Sequence, residues 1–212
     1  MIMRKYLLII ISLMAVLPVS AQNSAEQLLQ KTVSKMQKDG AIAMTLEAEI
    51  RDENGTDIVD MELKLQGTSF FVKEEDDLMW FDGKTMWRAN DFGSGVEEIY
   101  ISEPTPEEKA RYDIIVLLSK HQGFGVSGNG TDTFTLTATN SDHSVAGICS
   151  ITAKVDPKTY AFKTIGIVFA EELGNISVTV KVTGYNPGQT FDKKTFICPV
   201  SEYDDVEVID LR

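Results

Sequence analysis

The chain has 212 residues, with 32 Asp and Glu against 20 Lys and Arg, two Cys and two His. Hydrophobic residues make up 43% and charged residues 25%, a globular composition that excludes wholesale disorder. A net charge of −12 without a long Lys/Arg run excludes duplex nucleic acid and an anionic bilayer as electrostatic partners, and the Cys and His are not spaced for a zinc site.

Arg4 and Lys5 precede an uncharged apolar run from Leu7 to Val19, and Val19-Ser20-Ala21 offers small residues for a signal peptidase. This three-part pattern predicts a secretory signal peptide over residues 1–21 and a single mature domain over 22–212. The run gives about 20 Å of helix, short of a ~30 Å hydrocarbon core, and Pro18 interrupts it. No Cys stands at the cleavage point to accept a lipid, and loss of Arg4 and Lys5 takes the charge from −12 to −14.

Ser24-Ala25-Glu26-Gln27 reads as a capping box, Leu28, Leu29, Val33 and Met36 follow at helical spacing, and Gly40 can end the helix. From Ala41 the period becomes two. Ile42, Met44, Leu46, Ala48 and Ile50 alternate with polar residues, as do Val59, Met61, Leu63 and Leu65 after an Asn54-Gly55 turn, predicting a half-buried hairpin. Strands are expected at Ser69–Lys73, Leu78–Phe81, Thr85–Ala89 and Val96–Ser102. Thr105-Pro106-Glu107-Glu108 opens a second helix whose apolar face is Ile114, Leu117 and Leu118. Gly123 to Gly130 reads as a loop. Further strands carry Phe134, Leu136 and Ala138, then Cys149 to Val155, then Ile165 to Phe169, then Ile176 to Val182, and a short one at Phe196–Cys198. About eleven strands with one apolar face and two amphipathic helices predict a mainly β fold with helices (α+β), in which a curled antiparallel half-barrel is covered by a helical lid.

Motifs that suggest chemistry have bland readings. Gly123-Phe124-Gly125-Val126-Ser127-Gly128 matches G-x-G-x-x-G but follows a helix and precedes a strand, the reverse of a dinucleotide site. No Ser sits in a G-x-S-x-G elbow, His121 and His143 fall in loops, and Glu74-Glu75-Asp76-Asp77 lacks the ligand spacing of a calcium loop. No catalytic, metal or cofactor site is expected. Cys149 and Cys198 are either a disulfide, which export permits, or two buried thiols. What remains is apolar. Phe70, Phe71, Trp80, Phe81, Met86 and Trp87 crowd the central strands, and Met44 and Met61 face inward on the hairpin, where methionine suits variable apolar ligands.

Four stretches carry a resemblance: Trp80-Phe81-Asp82-Gly83-Lys84-Thr85-Met86-Trp87, Ser102-Glu103-Pro104-Thr105-Pro106-Glu107-Glu108, Asp156-Pro157-Lys158-Thr159-Tyr160, and the ending Glu207-Val208-Ile209-Asp210-Leu211-Arg212. They resemble the D-G-K-x-x-W hairpin, the N-P-T-x-E-E helix start, the D-x-x-T-Y turn and the tail of the periplasmic lipoprotein carrier (LolA-like) family in its Bacteroides-type form. The resemblance implies a periplasmic, monomeric, non-enzymatic carrier of acylated lipoproteins. It would take them from an inner-membrane lipoprotein-release complex to an outer-membrane acceptor. The implied acyl-chain cavity is lined by Met44, Leu46, Met61, Leu63, Phe70, Trp80, Trp87, Ile114, Leu117, Leu118, Phe134 and Leu136. Two departures stand out. The family arginine before the D-G-K turn is missing, since Gly67 to Phe81 holds only Lys73 as a base, and one lid helix is visible mid-chain where the family has more. The rival readings are a lipid- or peptide-binding sensor of the same fold, an exported hydrolase, and a β-rich protein with a solid core.

Overall fold

The structure is a computed structural model and describes residues 24–91, 95–105, 118, 123–139 and 147–212. The signal-peptide segment and most of the expected second helix, including Ile114 and Leu117, lie outside the described residues.

Helix α1 (Ser24–Asp39) buries Ala25, Leu28, Leu29, Thr32, Val33 and Met36 along one stripe. The hydroxyl of buried Thr32 donates to the Leu28 carbonyl at 2.9 Å, so the stripe carries no orphaned polar group. Gly40 ends the helix at φ 68°, a left-handed conformation that costs a glycine nothing.

Among the described residues, twelve strands follow in one open, curled sheet. They are β1 (Ala41–Arg51), β2 (Thr56–Gln66), β3 (Ser69–Glu74), β4 (Asp77–Phe81), β5 (Met86–Asp91), β6 (Val96–Ser102), β7 (Phe124–Gly128), β8 (Thr133–Ala138), β9 (Ile148–Val155), β10 (Phe162–Phe169), β11 (Ser177–Gln189) and β12 (Glu207–Asp210). The spatial order is β12-β6-β5-β4-β3-β2-β1-β11-β10-β9-β8-β7. The sheet is therefore two antiparallel meanders, β1–β6 and β7–β11, joined along the β1/β11 pair. β12 adds to the free edge of β6 in parallel. No helix among the described residues is long and apolar enough to cross a membrane.

The expected hairpin is present, with Met44 opposite Leu63 and Leu46 opposite Met61. Its turn is fixed by the Asp52 carboxylate, which accepts the N–H groups of Asn54 and Gly55 at 2.7 and 3.0 Å. Three expectations are corrected. Residues 124–128, read as loop, form β7, because Phe124 and Val126 alternate toward the core and Gly123, Gly125 and Gly128 around them hide that period. Phe196–Cys198 is not a strand. Asp192 accepts the Lys194 N–H at 2.9 Å and turns Lys193–Phe196 into one short 3-10 helix. β11 runs on to Gln189 beyond its clean alternation, past a bulge where Thr45 meets Gly184 and Leu46 meets Val182. There a β-carbon on residue 184 would lie 2.5 Å from the Thr45 hydroxyl, so glycine allows the strands to close.

Candidate functional site

Alternation along each strand and register between strands assign every side chain to one of two faces. The inner face is the one that α1 covers. Under α1, Leu28, Leu29, Val33 and Met36 pack with Phe124, Phe134, Leu136, Ile151, Ala153 and Val155. Val182 joins that cluster to Ile42, Met44 and Leu46 of β1, which pack with Met61, Leu63 and Leu65. Leu63 and Leu65 then join it to Phe70, Phe81 and Met86, with Val72 and Met79 alongside. The inner face is thus one continuous apolar surface from β7 to β5. Four of its side chains, Met44, Met61, Met79 and Met86, are methionines.

The expected cavity residues divide three ways. Met44, Leu46, Met61, Leu63 and Phe70 share the inner face of β1–β3, the first two and Phe70 buried and the other two half-buried. Leu118, Phe134 and Leu136 are fully buried with α1. Trp80 and Trp87 are not on this face. They pair with each other across β4 and β5, Trp80 also opposes Phe71 at a ring separation of 5.6 Å, and all three point outward. The physical reason is the two-residue period: once Phe70 and Phe81 face in, as their 5.3 Å ring contact shows, Phe71 and Trp80 must face out.

That outer face is closed by the segment between β11 and β12. Cys198, Val200, Tyr203 and Val206 cover Trp80, Ala89, Val96, Ile99 and Ile101. The segment is anchored at Phe191, whose N–H donates to Gln66 Oε1 at 3.0 Å and whose ring meets Phe196 edge-on at 5.9 Å. Both cysteines are free thiols, which corrects the disulfide alternative. Cys149 sits on β9, whereas Cys198 covers β4–β6. Burial pushes the Cys198 thiol up to about 12.

Sequence reasoning missed the polar end of the inner face. Arg88 stands there on β5, between Met79 of β4 and Tyr100 of β6. It lines a depression of about 380 Å³ with Met86, Asn90, Tyr100, Ser102, Pro104 and Leu211. Arg88 follows the D-G-K turn, whereas the resemblance points to a base before it, and the alternation Met86, Arg88, Asn90 is the sequence signal for its place on this face. Glu74 lies opposite Met61, where burial first, and then Asp77 and Glu75, raise its carboxyl above the ordinary value.

A second recess, of about 500 Å³, runs along the outward side of α1 and is lined by Gln27, Gln30, Lys31, Ser34, Lys35, Lys38 and Tyr160. Lys31 lies 5.3 Å above the Tyr160 ring, and Lys35 5.4 Å above that of Tyr185. Asp39 bridges Lys35 and the Tyr185 hydroxyl, which donates to it at 2.5 Å. No group of three metal-binding side chains occurs among the described residues.

No family model and no curated protein matches the chain. Solved structures do. An uncharacterized conserved protein from Thermus thermophilus is 10% identical, covering 89% of this chain and 99% of its own at a TM-score of 0.52, a likeness of fold alone. A LolA superfamily protein from Nitrosomonas europaea is 9% identical over 81% of this chain and 96% of its own, with a TM-score of 0.42. A candidate outer membrane lipoprotein-sorting protein domain from Vibrio parahaemolyticus is 13% identical over 83% and 98%, with a TM-score of 0.40.

Proposed function

We propose that residues 22–212 form a periplasmic carrier that holds the acyl chains of lipoproteins against the inner face of the sheet and moves them between the inner and outer membranes. The observation that carries this reading is the continuity of the apolar inner face, in which Val182, Leu63 and Leu65 each belong to two neighbouring clusters. The sequence resemblance to lipoprotein carriers supplies the ligand class. Methionines let such a face adapt to chains of different length. Transport of this kind needs no catalyst: transfer of a ~14-carbon tail from water at ~0.8 kcal/mol per CH₂ stabilises the complex by about 11 kcal/mol before ordering costs.

A second reading has its own support. Met44, Phe70, Phe81 and Met86 are already buried, which is what a solid core would show. Under the carrier reading, the arriving chain displaces the side chains that shield them. Native mass spectrometry of protein purified from its own periplasm separates the two. A copurifying diacyl or triacyl mass is the expected result. Protein that is empty and takes up no acylated peptide would establish the solid core instead.

A further inference from the structure

We propose that the recess along the outward side of α1 docks an extended acidic segment of a partner protein. The chain carries 32 acidic against 20 basic residues, yet among the described residues this recess is lined by three lysines and no carboxylate. Its basic character is therefore local and runs against the field of the whole molecule.

The lysines are arranged in a line. Lys31, Lys35 and Lys38 share one side of α1, and Lys31 and Lys38 are about 10 Å apart along the axis at ~1.5 Å per residue. A phosphate or other point anion needs donors that converge, whereas a row suits a row of carboxylates. In an extended chain, residues three apart span about 10 Å, the same repeat. Lys35 is already paired with the Asp39 carboxylate. Lys31, beside the Tyr160 ring, and Lys38 are both exposed and, among the described residues of the recess, are the cations a partner meets.

The walls fit a peptide. Gln27 and Gln30 offer carboxamides that can donate to and accept from a passing backbone. The far wall is Tyr160, which takes φ 59° at the end of the turn that Asp156 holds by accepting the N–H groups of Lys158 and Thr159 at 2.9 Å each. The lysines lie in a single row along one helix, so a narrow acidic segment matches them better than a broad anionic lipid surface does. The inference does not depend on what the inner face binds.

The test uses fluorescein-labelled hexaglutamate as the probe, with binding read by anisotropy in low salt. Saturable binding is expected, weakening steeply between ~20 and ~200 mM salt as the Debye length shortens and the lysine–carboxylate attraction is screened. Lys31→Glu/Lys38→Glu should weaken it at least tenfold, and Lys31→Gln/Lys38→Gln by less, while Lys84→Glu, on the β4–β5 turn, leaves it unchanged. Thermal melts and hydrophobic-dye binding should be the same in all four proteins. The proposal is overturned by an absence of saturable binding, or by equal loss in Lys84→Glu. It is also overturned if millimolar inorganic phosphate displaces the peptide, or if phosphatidylglycerol vesicles, and not the peptide, bind in a Lys31/Lys38-dependent way.

Discussion

Trp80 and Phe81 are neighbours in sequence and bury their rings on opposite faces of β4, each about 5% exposed. Phe81 belongs to the inner apolar surface. Trp80 belongs to the layer formed with the segment that returns from β11 to β12. The sheet is apolar on both faces here, and the two faces can be disturbed independently.

The inner face gives the first prediction. Met61 and Leu63 are half-buried, whereas Met44 is buried. Met61→Glu and Leu63→Glu should cost about 1–2 kcal/mol and remain folded, while Met44→Glu, an unpaired buried charge, should cost ~3–5 kcal/mol. All three should lose acyl-chain or hydrophobic-dye binding, since an alkyl chain cannot solvate a carboxylate. Glu62→Lys, on the other face of β2, should change neither property. Wild-type dye binding by a folded Met61→Glu and a folded Leu63→Glu would remove the inner face as the ligand site.

The outer face gives the converse. Trp80→Ala should destabilise by ~3–5 kcal/mol, the cost of truncating a buried aromatic. Lipid affinity per folded molecule should stay at the parent value, read by titrating a fluorescent fatty acid well below the variant's melting temperature. A loss of affinity without a loss of stability would return Trp80 to the ligand site.

Much of the fold was legible because the strands alternate. The hairpin of Ile42 to Leu65 and the α1 stripe both follow from periodicity. The faces of the short strands were not legible. With five or six residues and apolar side chains at consecutive positions, as in Trp80-Phe81, β4 has no polar face to break the tie. Only the partner strand decides. β7 was hidden for another reason: glycine has no side chain with which to mark the alternation of Phe124 and Val126.

The thiols give a third prediction. Denatured protein without reductant should label at two cysteines. In the native state Cys198 should stay unmodified by iodoacetamide at pH 8, because its thiol is shielded and pushed up to about 12, so little thiolate forms. Rapid native labelling at Cys198, mapped by peptide mass, would show that the covering segment opens readily.

pH dependence gives a fourth. Burial first, and then the hydrogen bond to Asp39, raise the Tyr185 hydroxyl well above its ordinary value near 10. The folded state then holds a proton that the unfolded state releases, so this contribution is intact below pH ~10 and is lost as the pH rises beyond it. On the acid side, the Thr159 and Lys158 N–H groups, and then Lys163, hold Asp156 far below the usual carboxylate range. That contribution is intact above pH ~4 and is lost as the pH falls. Tyr185→Phe should flatten the alkaline limb of a urea-midpoint profile, and Asp156→Asn the acid limb. Limbs unchanged in both variants would assign the pH dependence to other groups.

Export gives the fifth. The soluble form should begin at Gln22 or within a residue or two, as an intact mass would show. Soluble protein retaining residues 1–21 would refute the signal-peptide reading.

The route of the chain after β11 sets an order of assembly. β1–β6 are consecutive neighbours and can zip up as they emerge, but β1 waits for β11, whose partners lie as far apart as Ala41 and Gln189. The same strand then launches the covering segment and β12, so one late event sets both the central seam and the outer cover. Until it happens, the β1–β6 meander is a half-finished surface with Trp80, Ile99 and the bare edge of β6 open to other chains. A nascent molecule of this topology is most prone to aggregate just after its first half has formed, and a holding chaperone is most useful in that interval.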